Sequence, residues 1–343
     1  MRKPSSRYEK TTTISGPFNI GLLLIVSASF WIAGYTQSIG YPVYSEAAAT
    51  PLWEMVCIAF TSKTGAYLVG LMLLIGGAII IHRANYVQII IREKTYLPFL
   101  LYLILISCNT AFLPLNAASL AMFCLILAFY QILKTYRDPD CIANIYNASL
   151  LLGVGSLLWI HLLWFVPVFW WGMYSLKSMS IRGILASLTG LATVYWFLAG
   201  WCVWTRSFDA LHGPFLSLTM ISRPELNGIR TADWIFMIAM IILAGASILN
   251  IFIHEYDESV RTRQFLFFTI IIALISFSLA LVYEQQRIEF LGLSCMPLAI
   301  LASHLFATSK FRKKGWIYCA CIALYVLLSV IRSPWNFLPP DVL

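Results

Sequence analysis

Charged side chains are scarce in this chain of 343 residues. Asp, Glu, Lys and Arg together make up 11% of it, whereas a soluble domain carries about a quarter. Hydrophobic residues make up 60%, the mean hydropathy is +0.81, and apolar runs of roughly 18 or more residues recur throughout. No long polar segment remains that could form a soluble domain. These features predict an all-α, polytopic integral membrane bundle, with residues 1–343 forming a single transmembrane domain.

Motifs for soluble chemistry are also missing. The chain contains no serine-triad pattern, no HExxH and no phosphate-binding P-loop. It has eight cysteines, but no CxxC and no Cys/His cluster with zinc spacing, so we predict no metal site of this type. The net charge of +8 comes from short basic clusters between apolar runs, without any nucleic-acid-binding motif. Nucleic acid is therefore excluded as a partner.

The apolar runs predict about eleven transmembrane helices. Of the 23 lysines and arginines, 17 fall in the loops on one side of this layout and 6 on the other. Because basic residues concentrate on the cytoplasmic side, the N-terminus is predicted inside and the C-terminus outside. This layout is typical of a multi-pass protein of the bacterial cytoplasmic (inner) membrane. The predicted spans are 18–34, 66–82, 96–108, 115–133, 144–159, 162–176, 183–204, 233–253, 264–283, 290–307 and 316–332.

Ionisable residues are nearly absent from the predicted spans. None carries Asp, Glu, Lys or Arg at mid-membrane, and the lone His161 and His304 are more typical of packing than of a proton relay. This argues against an ion-coupled carrier. A small-solute transporter that holds its substrate with backbone groups at broken helices stays open as a weaker alternative.

The first long outer loop covers 35–65. Thr50 is a predicted N-cap, with Pro51 at the first helical position and Glu54 in the first turn. Apolar residues then recur at helical spacing, which predicts an amphipathic juxtamembrane helix at about 50–61 on the outer membrane surface. The alternative is a helix that packs against the bundle, with solvated surface acids.

Two further outer segments carry polar groups. The loop at about 205–232 contains Arg206, Asp209, His212 and Arg223, and its guanidinium groups have the geometry to clamp a phosphate or carboxylate. Local ion pairing within the loop is the alternative. The stretch "VYEQQRIEFL" (282–291) connects the ninth and tenth spans and is interpreted first as a hydrated turn, with Arg287 as its phosphate-binding candidate.

Two stretches resemble membrane glycosyltransferases of the GT-C type. The first is "LPLNAASLAMFCLILAFYQILKTYRDPDCIANIYNASLLLGVGSLLWIHLLWFVPVFWWGMYSL" (113–176), and the second is "YEQQRIEFLGLSCMPLAILASHLFA" (283–307). Over roughly 65–330, the chain also resembles a family of bacterial polytopic membrane proteins known only as a domain of unknown function. That second resemblance implies no activity.

The GT-C resemblance implies an enzyme that uses a polyprenyl-phosphate-linked sugar at the outer face. It implies that Glu46, about a dozen residues beyond the first span, is the catalytic carboxylate, with Glu54 as second choice. It also implies donor-phosphate binding by Arg287, Arg223 and Arg206, and a divalent cation as an optional cofactor. Asn116 stands where the family commonly has a second acidic residue, and an amide cannot act as a base.

Two functions from different classes follow. One is a transferase of a lipid-linked sugar, or of a related phospholipid-derived group, whose partner is membrane lipid. The other is a non-catalytic scaffold or lipid-handling protein of an envelope assembly. The sequence identifies no protein partner for either of them.

Overall fold

The computed structural model describes residues 17–37, 50–60, 62–91, 95–206, 209–219, 231–254 and 258–308, with 322, 323 and 327. This part of the chain is helical, contains no strand and buries one large apolar core. Two short 3-10 helices, Thr110–Phe112 and Ile160–Trp164, interrupt the series. The α-helices are α1 Pro17–Gln37, α2 Pro51–Ala59, α3 Lys63–Gln88, α4 Leu97–Ser107, α5 Ala117–Leu133, α6 Ile142–Leu158, α7 Phe165–Ser175, α8 Ile181–Thr205, α9 Asp209–Thr219, α10 Thr231–Ile253, α11 Val260–Val282 and α12 Arg287–Thr308.

A helix occurs at each of the first ten predicted spans, and the eleventh lies almost wholly outside the described residues. Five of these helices are long and apolar enough to cross a membrane: α3, α8, α10, α11 and α12. By contrast, α4 and α7 have 11 residues each. At 1.5 Å per residue, such a helix is about 16 Å long, roughly half the thickness of the hydrocarbon layer. The fold is therefore a membrane-type helical bundle that includes helices too short to span by themselves.

Helix α12 lies at the centre of the bundle. Over its most apolar 18 residues, 94% of α12 is buried inside the bundle, and the helix packs against α4, α5, α10 and α11. The short α4 is also enclosed, since every residue except Phe99 is buried among α1, α3 and α12. Gly292 allows α12 to approach the 3-10 helix Thr110–Phe112 closely, because a Cβ at this position would lie 3.2 Å from the ring of Phe112.

Contacts between helix ends define two ends of the bundle. At the end where α12 begins, named the Arg287 end, the Leu115 amide donates to the Ala66 carbonyl at 3.1 Å. At the end where α11 begins, named the Arg261 end, the Thr135 hydroxyl donates to Ser178 Oγ at 3.0 Å. The Arg137 amide donates to the Leu176 carbonyl at that same end. The chain therefore turns back at the break at 159–164, which lies between the spans predicted at 144–159 and 162–176.

Hydroxyl groups join α6 to α8 between the two ends. Ser149 donates to Ser187 Oγ at 2.7 Å, and the hydroxyls of Ser156 and Tyr195 lie 2.8 Å apart. Gly190 permits this close approach, since a Cβ there would lie 2.7 Å from the Tyr146 carbonyl oxygen. Small and hydroxyl-bearing residues at helix contacts are typical of membrane bundles.

Helix α2 lies where the juxtamembrane helix is predicted, at about 50–61, and its place on the outer membrane surface stays a prediction. Thr50 occupies the N-cap position, but its hydroxyl donates to the Leu158 carbonyl at 2.9 Å instead of capping the helix. The most buried apolar side chain is Trp53, whereas Met55 is exposed. Because α2 packs against α6 through this face, its position is determined by contact with the bundle as well as by amphipathicity.

Candidate functional site

The candidate site is the turn that joins α11 to α12 at the Arg287 end. The Tyr283 amide ends α11 by donating to the Leu279 carbonyl at 2.9 Å. The Gln286 amide then donates to the Tyr283 carbonyl at 3.3 Å, and the Arg287 amide donates to the Glu284 carbonyl at 3.2 Å. This tight turn places Arg287 at the first position of α12 and Glu289 in its first turn.

A buried aromatic frame holds the turn in place. Trp159 Nε1 donates to Gln286 Oε1 at 2.9 Å, and both side chains are buried. The Trp159 ring also packs against Phe290 of α12, with 4.8 Å between ring centroids. Because Trp159 lies between α6 and the following 3-10 helix, this contact ties the α11–α12 turn to a segment 127 residues earlier in the chain.

His161 lies inside this frame and is 2% exposed. Its ring centroid is 4.9 Å from that of Tyr283 and 5.8 Å from that of Phe290, both edge-on. Burial lowers the pKa of His161 from its ordinary value of 6.5 to about 4, so the imidazole is neutral at pH 7. Its Nδ1 atom is buried and has no hydrogen-bond partner among the described residues.

Arg287 is the cationic group of the site and is 9% exposed. Its Nη2 lies 3.7 Å from Glu284 Oε1, which is an ion pair but exceeds hydrogen-bond distance. Its Nε is buried without a hydrogen-bond partner in the described part of the chain. A guanidinium carries five N–H donors, and leaving buried donors unused is costly. Arg287 therefore retains capacity to bind an anion.

Glu289 is a second charged group in the first turn of α12. Its carboxylate accepts a hydrogen bond from its own backbone N–H, while Oε2 is buried with no partner among the described residues. Glu289 lies one turn before Gly292 and so shares the helix face that packs against Phe112. Arg287 is two residues earlier, about 200° around the helix, and so projects from the opposite side.

Helix α9 is fastened to the site through Tyr283. The Tyr283 hydroxyl donates to the Leu218 carbonyl at 2.7 Å and accepts from Trp164 Nε1 at 3.1 Å. Leu218 lies in the last turn of α9, where carbonyls lack partners within the helix. The phenol therefore caps α9 and links it to the residue that precedes the Arg287 turn.

Four predicted site residues cannot be compared with this geometry at the level of side chains. Glu46 and Arg223 lie outside the described residues. Asp209 begins α9 and His212 lies within it, but their side chains are likewise outside what the structure describes. The predictions for these residues therefore stay predictions.

The other predicted residues occupy three separate positions. Glu54 is exposed in the first turn of α2, and Arg206 is exposed in a left-handed conformation at the end of α8. Asn116 caps α5: Asn116 Oδ1 accepts from the Ser119 amide at 2.6 Å, and Ser119 Oγ accepts from the Asn116 amide at 3.1 Å. In the described part of the chain, Arg287 forms no hydrogen bond or ion pair with any of these three.

The sequence does not reveal the residues that fix and surround the Arg287 turn. It predicts Glu289 in a hydrated turn, because the tenth span is predicted to begin at 290, whereas α12 begins at Arg287. Trp159 and Gln286 were not singled out either. The one available signal was the density of polar residues in 284–289, which marked the segment without showing which side chains become buried.

The described residues include no group of three or more His, Cys, Asp or Glu side chains arranged to hold a metal ion. The optional divalent cation implied by the GT-C resemblance therefore has no identified set of ligands in this part of the chain. Comparison with protein-family models, with curated proteins and with solved structures gives no match for this chain. Any proposal about function consequently depends on the geometry of the Arg287 end itself.

Proposed function

We propose that this chain is a multi-pass protein of the bacterial inner membrane that binds a phosphate-bearing lipid at the Arg287 end. The activity that such binding would serve is transfer of the lipid-linked group, in the manner of a GT-C-like glycosyltransferase with a polyprenyl-phosphate-linked sugar. The distribution of basic residues predicts that the Arg287 end lies at the outer face, which supports this proposal. A phosphate-bearing headgroup in the outer leaflet lies at the depth where the bundle ends.

The observation that carries this proposal is the state of Arg287. Its guanidinium is nine-tenths buried, has an unpartnered Nε and has one carboxylate at 3.7 Å. It stands at the start of α12, where the positive end of the helix dipole favours an anion. A phosphate would supply the hydrogen-bond acceptors that the guanidinium lacks.

This geometry assigns a chemical role to the site. If the phosphate is the leaving group of a transfer reaction, negative charge develops on its oxygens, and a fixed guanidinium and helix N-terminus stabilise that charge. The buried aromatic frame of Trp159 and Phe290 holds the turn and limits water around it. The resemblance adds Glu46 as the base that activates the acceptor, and Glu46→Gln should then abolish transfer without loss of folding.

The experiment compares wild type with Arg287→Gln after purification in detergent. Retention of a polyprenyl phosphate and transfer from a polyprenyl-phosphate-linked sugar are both measured. We expect Arg287→Gln to weaken lipid retention roughly tenfold or more, the factor that corresponds to one charged hydrogen bond of about 1.4 kcal/mol. Arg182→Gln is the matched control, since Arg182 is an exposed arginine in the first turn of α8. Equal retention by all three proteins would contradict the proposal.

A non-catalytic scaffold is the second candidate, and the Glu284–Arg287 ion pair favours it. If that pair serves only to fix the turn, then Glu284 already neutralises the charge of Arg287, and no anionic ligand is needed. Arg287→Gln would then lower thermal stability and leave lipid retention unchanged. Glu284→Gln separates the two functions: it frees Arg287 for lipid under the first proposal and only loosens the turn under the second.

A further inference from the structure

The charges around Arg287 restrict which phosphate-bearing headgroup fits. In the described part of the first turn of α12 and the turn before it, one guanidinium lies with two carboxylates, Glu284 and Glu289. An anionic headgroup would add a further negative charge to this group, at the low effective dielectric of a mostly buried site. A zwitterionic headgroup would leave the local charge unchanged.

The two unpartnered atoms are of opposite hydrogen-bonding type. Arg287 Nε is a donor without an acceptor, and Glu289 Oε2 is an acceptor without a donor. One ligand can satisfy both only if it has phosphate oxygens to accept and N–H or O–H groups to donate. A buried carboxylate within a membrane-spanning helix is costly unless it is paired, so a cationic donor satisfies it best.

The positions of the two side chains define how the ligand would lie. Arg287 and Glu289 project from opposite sides of the first turn of α12. A headgroup that contacts both therefore lies across the N-terminal end of the helix, with its phosphate beside Arg287 at the positive end of the helix dipole. Its amine then extends toward the face that Glu289 shares with Gly292.

We propose that the ligand of this site is a lipid headgroup that carries a primary ammonium beside its phosphate, with Arg287 holding the phosphate and Glu289 the ammonium. This inference rests on the proposed function, because it assumes that Arg287 binds a lipid phosphate. It goes further by assigning a selectivity residue, Glu289, and a headgroup class, that of phosphoethanolamine. It thereby selects a phospholipid-derived group, rather than a polyprenyl-phosphate-linked sugar with its net negative charge, as the lipid-linked group that the site takes.

The test uses the full-length protein, delipidated in detergent and exposed to equal amounts of three lipids. Phosphatidylethanolamine has the ammonium, phosphatidylglycerol has hydroxyls and a net negative charge, and phosphatidylcholine has a cation that cannot donate a hydrogen bond. Native mass spectrometry then counts the bound lipid. We expect wild type to retain phosphatidylethanolamine over each of the others by roughly tenfold, corresponding to about 1.4 kcal/mol.

Variants separate this inference from the proposed function. Glu289→Gln should retain lipid but lose the preference for phosphatidylethanolamine to within about twofold, a difference of less than 0.5 kcal/mol. Arg287→Gln should lower retention of all three lipids. If retention depends on Arg287 but phosphatidylglycerol binds as well as phosphatidylethanolamine, the ammonium assignment is wrong and phosphate binding stands. If Arg287→Gln changes nothing, both are wrong.

A second measurement needs no variant and removes the acyl chains from the comparison. Soluble glycerophosphoethanolamine should displace bound phosphatidylethanolamine from wild type at lower concentration than glycerophosphoglycerol does. The reverse order would overturn the inference. Glu284→Gln is the control for a carboxylate that already faces Arg287, and it should keep the preference for the ammonium headgroup.

Discussion

Arg261 and Arg287 occupy similar positions at opposite ends of the bundle, one at the second residue of α11 and the other at the first of α12. Arg261 donates to Gln88 Oε1 and lies over the rings of Tyr136 and Phe265, at 5.4 and 5.3 Å from their centroids. Arg287 has one carboxylate at 3.7 Å and no ring or hydrogen bond of this kind in the described part of the chain. In both arginines Nε is buried without a hydrogen-bond partner in the described part of the chain. The two therefore differ in the hydrogen bond and ring contacts that hold Arg261 and that Arg287 lacks.

The difference separates a structural role from a binding role. Interactions that tie several segments together contribute to stability whether or not a ligand is present, as do those of Arg261 with Gln88 of α3 and with Tyr136, which follows α5. A buried guanidinium with unused donors lowers stability until an anion arrives. Substitutions at the Arg261 end should therefore reduce stability, whereas substitution of Arg287 itself should mainly alter binding.

The largest effect is expected from the frame of the Arg287 end. Trp159→Ala removes a fully buried indole and its hydrogen bond to Gln286, which should lower the free energy of unfolding by about 3–5 kcal/mol. Thermal unfolding in detergent can be followed with a thiol-reactive dye, because Cys108 and Cys295 are buried in the folded bundle. Trp159→Phe keeps most of the side-chain volume, so it should lower the free energy of unfolding clearly less than Trp159→Ala does. Equal losses in the two variants would show that packing is not what the indole contributes.

Acidification should affect the Arg287 end through His161. Its folded pKa of about 4 lies below the ordinary 6.5, so the unfolded chain binds the proton first as pH falls. The stability contributed by neutral His161 is complete above about pH 6.5 and is lost as pH falls to about 4, by up to about 3 kcal/mol. Melting temperatures of wild type and His161→Gln between pH 7 and pH 4 test this. Parallel curves would contradict a titrating, buried His161.

A smaller effect is expected at the Arg261 end. Arg261→Gln loses the hydrogen bond to Gln88 and both ring contacts, which should lower stability by about 2 kcal/mol. Arg287→Gln, measured in parallel in lipid-free detergent, should lower stability by less than about 1 kcal/mol, because it also removes a poorly satisfied buried charge. If Arg287→Gln is the more destabilising of the two, the contrast between the two ends is wrong.

The smallest effect is expected midway between the ends. Ser149→Ala removes one hydroxyl from the contact of α6 with α8 and should lower stability by about 0.6 kcal/mol, the average for such bonds in membranes. Ser29→Ala is a suitable control, since among the described residues the Ser29 hydroxyl donates to the Ile25 carbonyl of its own helix, α1. If Ser149→Ala lowers stability as much as Arg261→Gln does, contacts midway along the bundle contribute as much to stability as contacts at its ends.

Much of the fold was predictable because ten of the described α-helices are continuous apolar runs. Helix α9 is an exception, since Asp209–Thr219 lies within the segment predicted as an outer loop at about 205–232. Helices at all ten described spans, and the interruption between Leu158 and Phe165, follow from hydropathy and length. The predicted spans 96–108 and 162–176 are already shorter than the roughly 20 residues that a crossing helix needs. Hydropathy could not show whether such short segments cross, because burial by neighbouring helices and burial by lipid select the same residues. The number of crossings and the orientation of the chain therefore stay predictions.

The site was predictable only in part. Arg287 was named because a basic residue stands between two apolar runs, which is a local pattern. Glu289 was assigned to solvent because the helix start was expected three residues later. That start depends on the hydrogen bonds of the 283–287 turn and on the contact of Gln286 with Trp159, 127 residues away in sequence. Pairing at such a distance leaves no periodic signal in a single sequence.

The enclosure of α4 has a consequence for how the protein is made. Residues 97–107 emerge from the ribosome about 190 residues before α12, which later covers one side of them. A segment of about 16 Å cannot hold a stable transmembrane position by itself in the meantime. Until α12 is synthesised, α4 must therefore be kept at the membrane by contact with α3 or with the insertion machinery. Chains that stop before residue 287 should therefore expose α4 and be degraded, which makes late synthesis of α12 the step that commits the bundle to its final form.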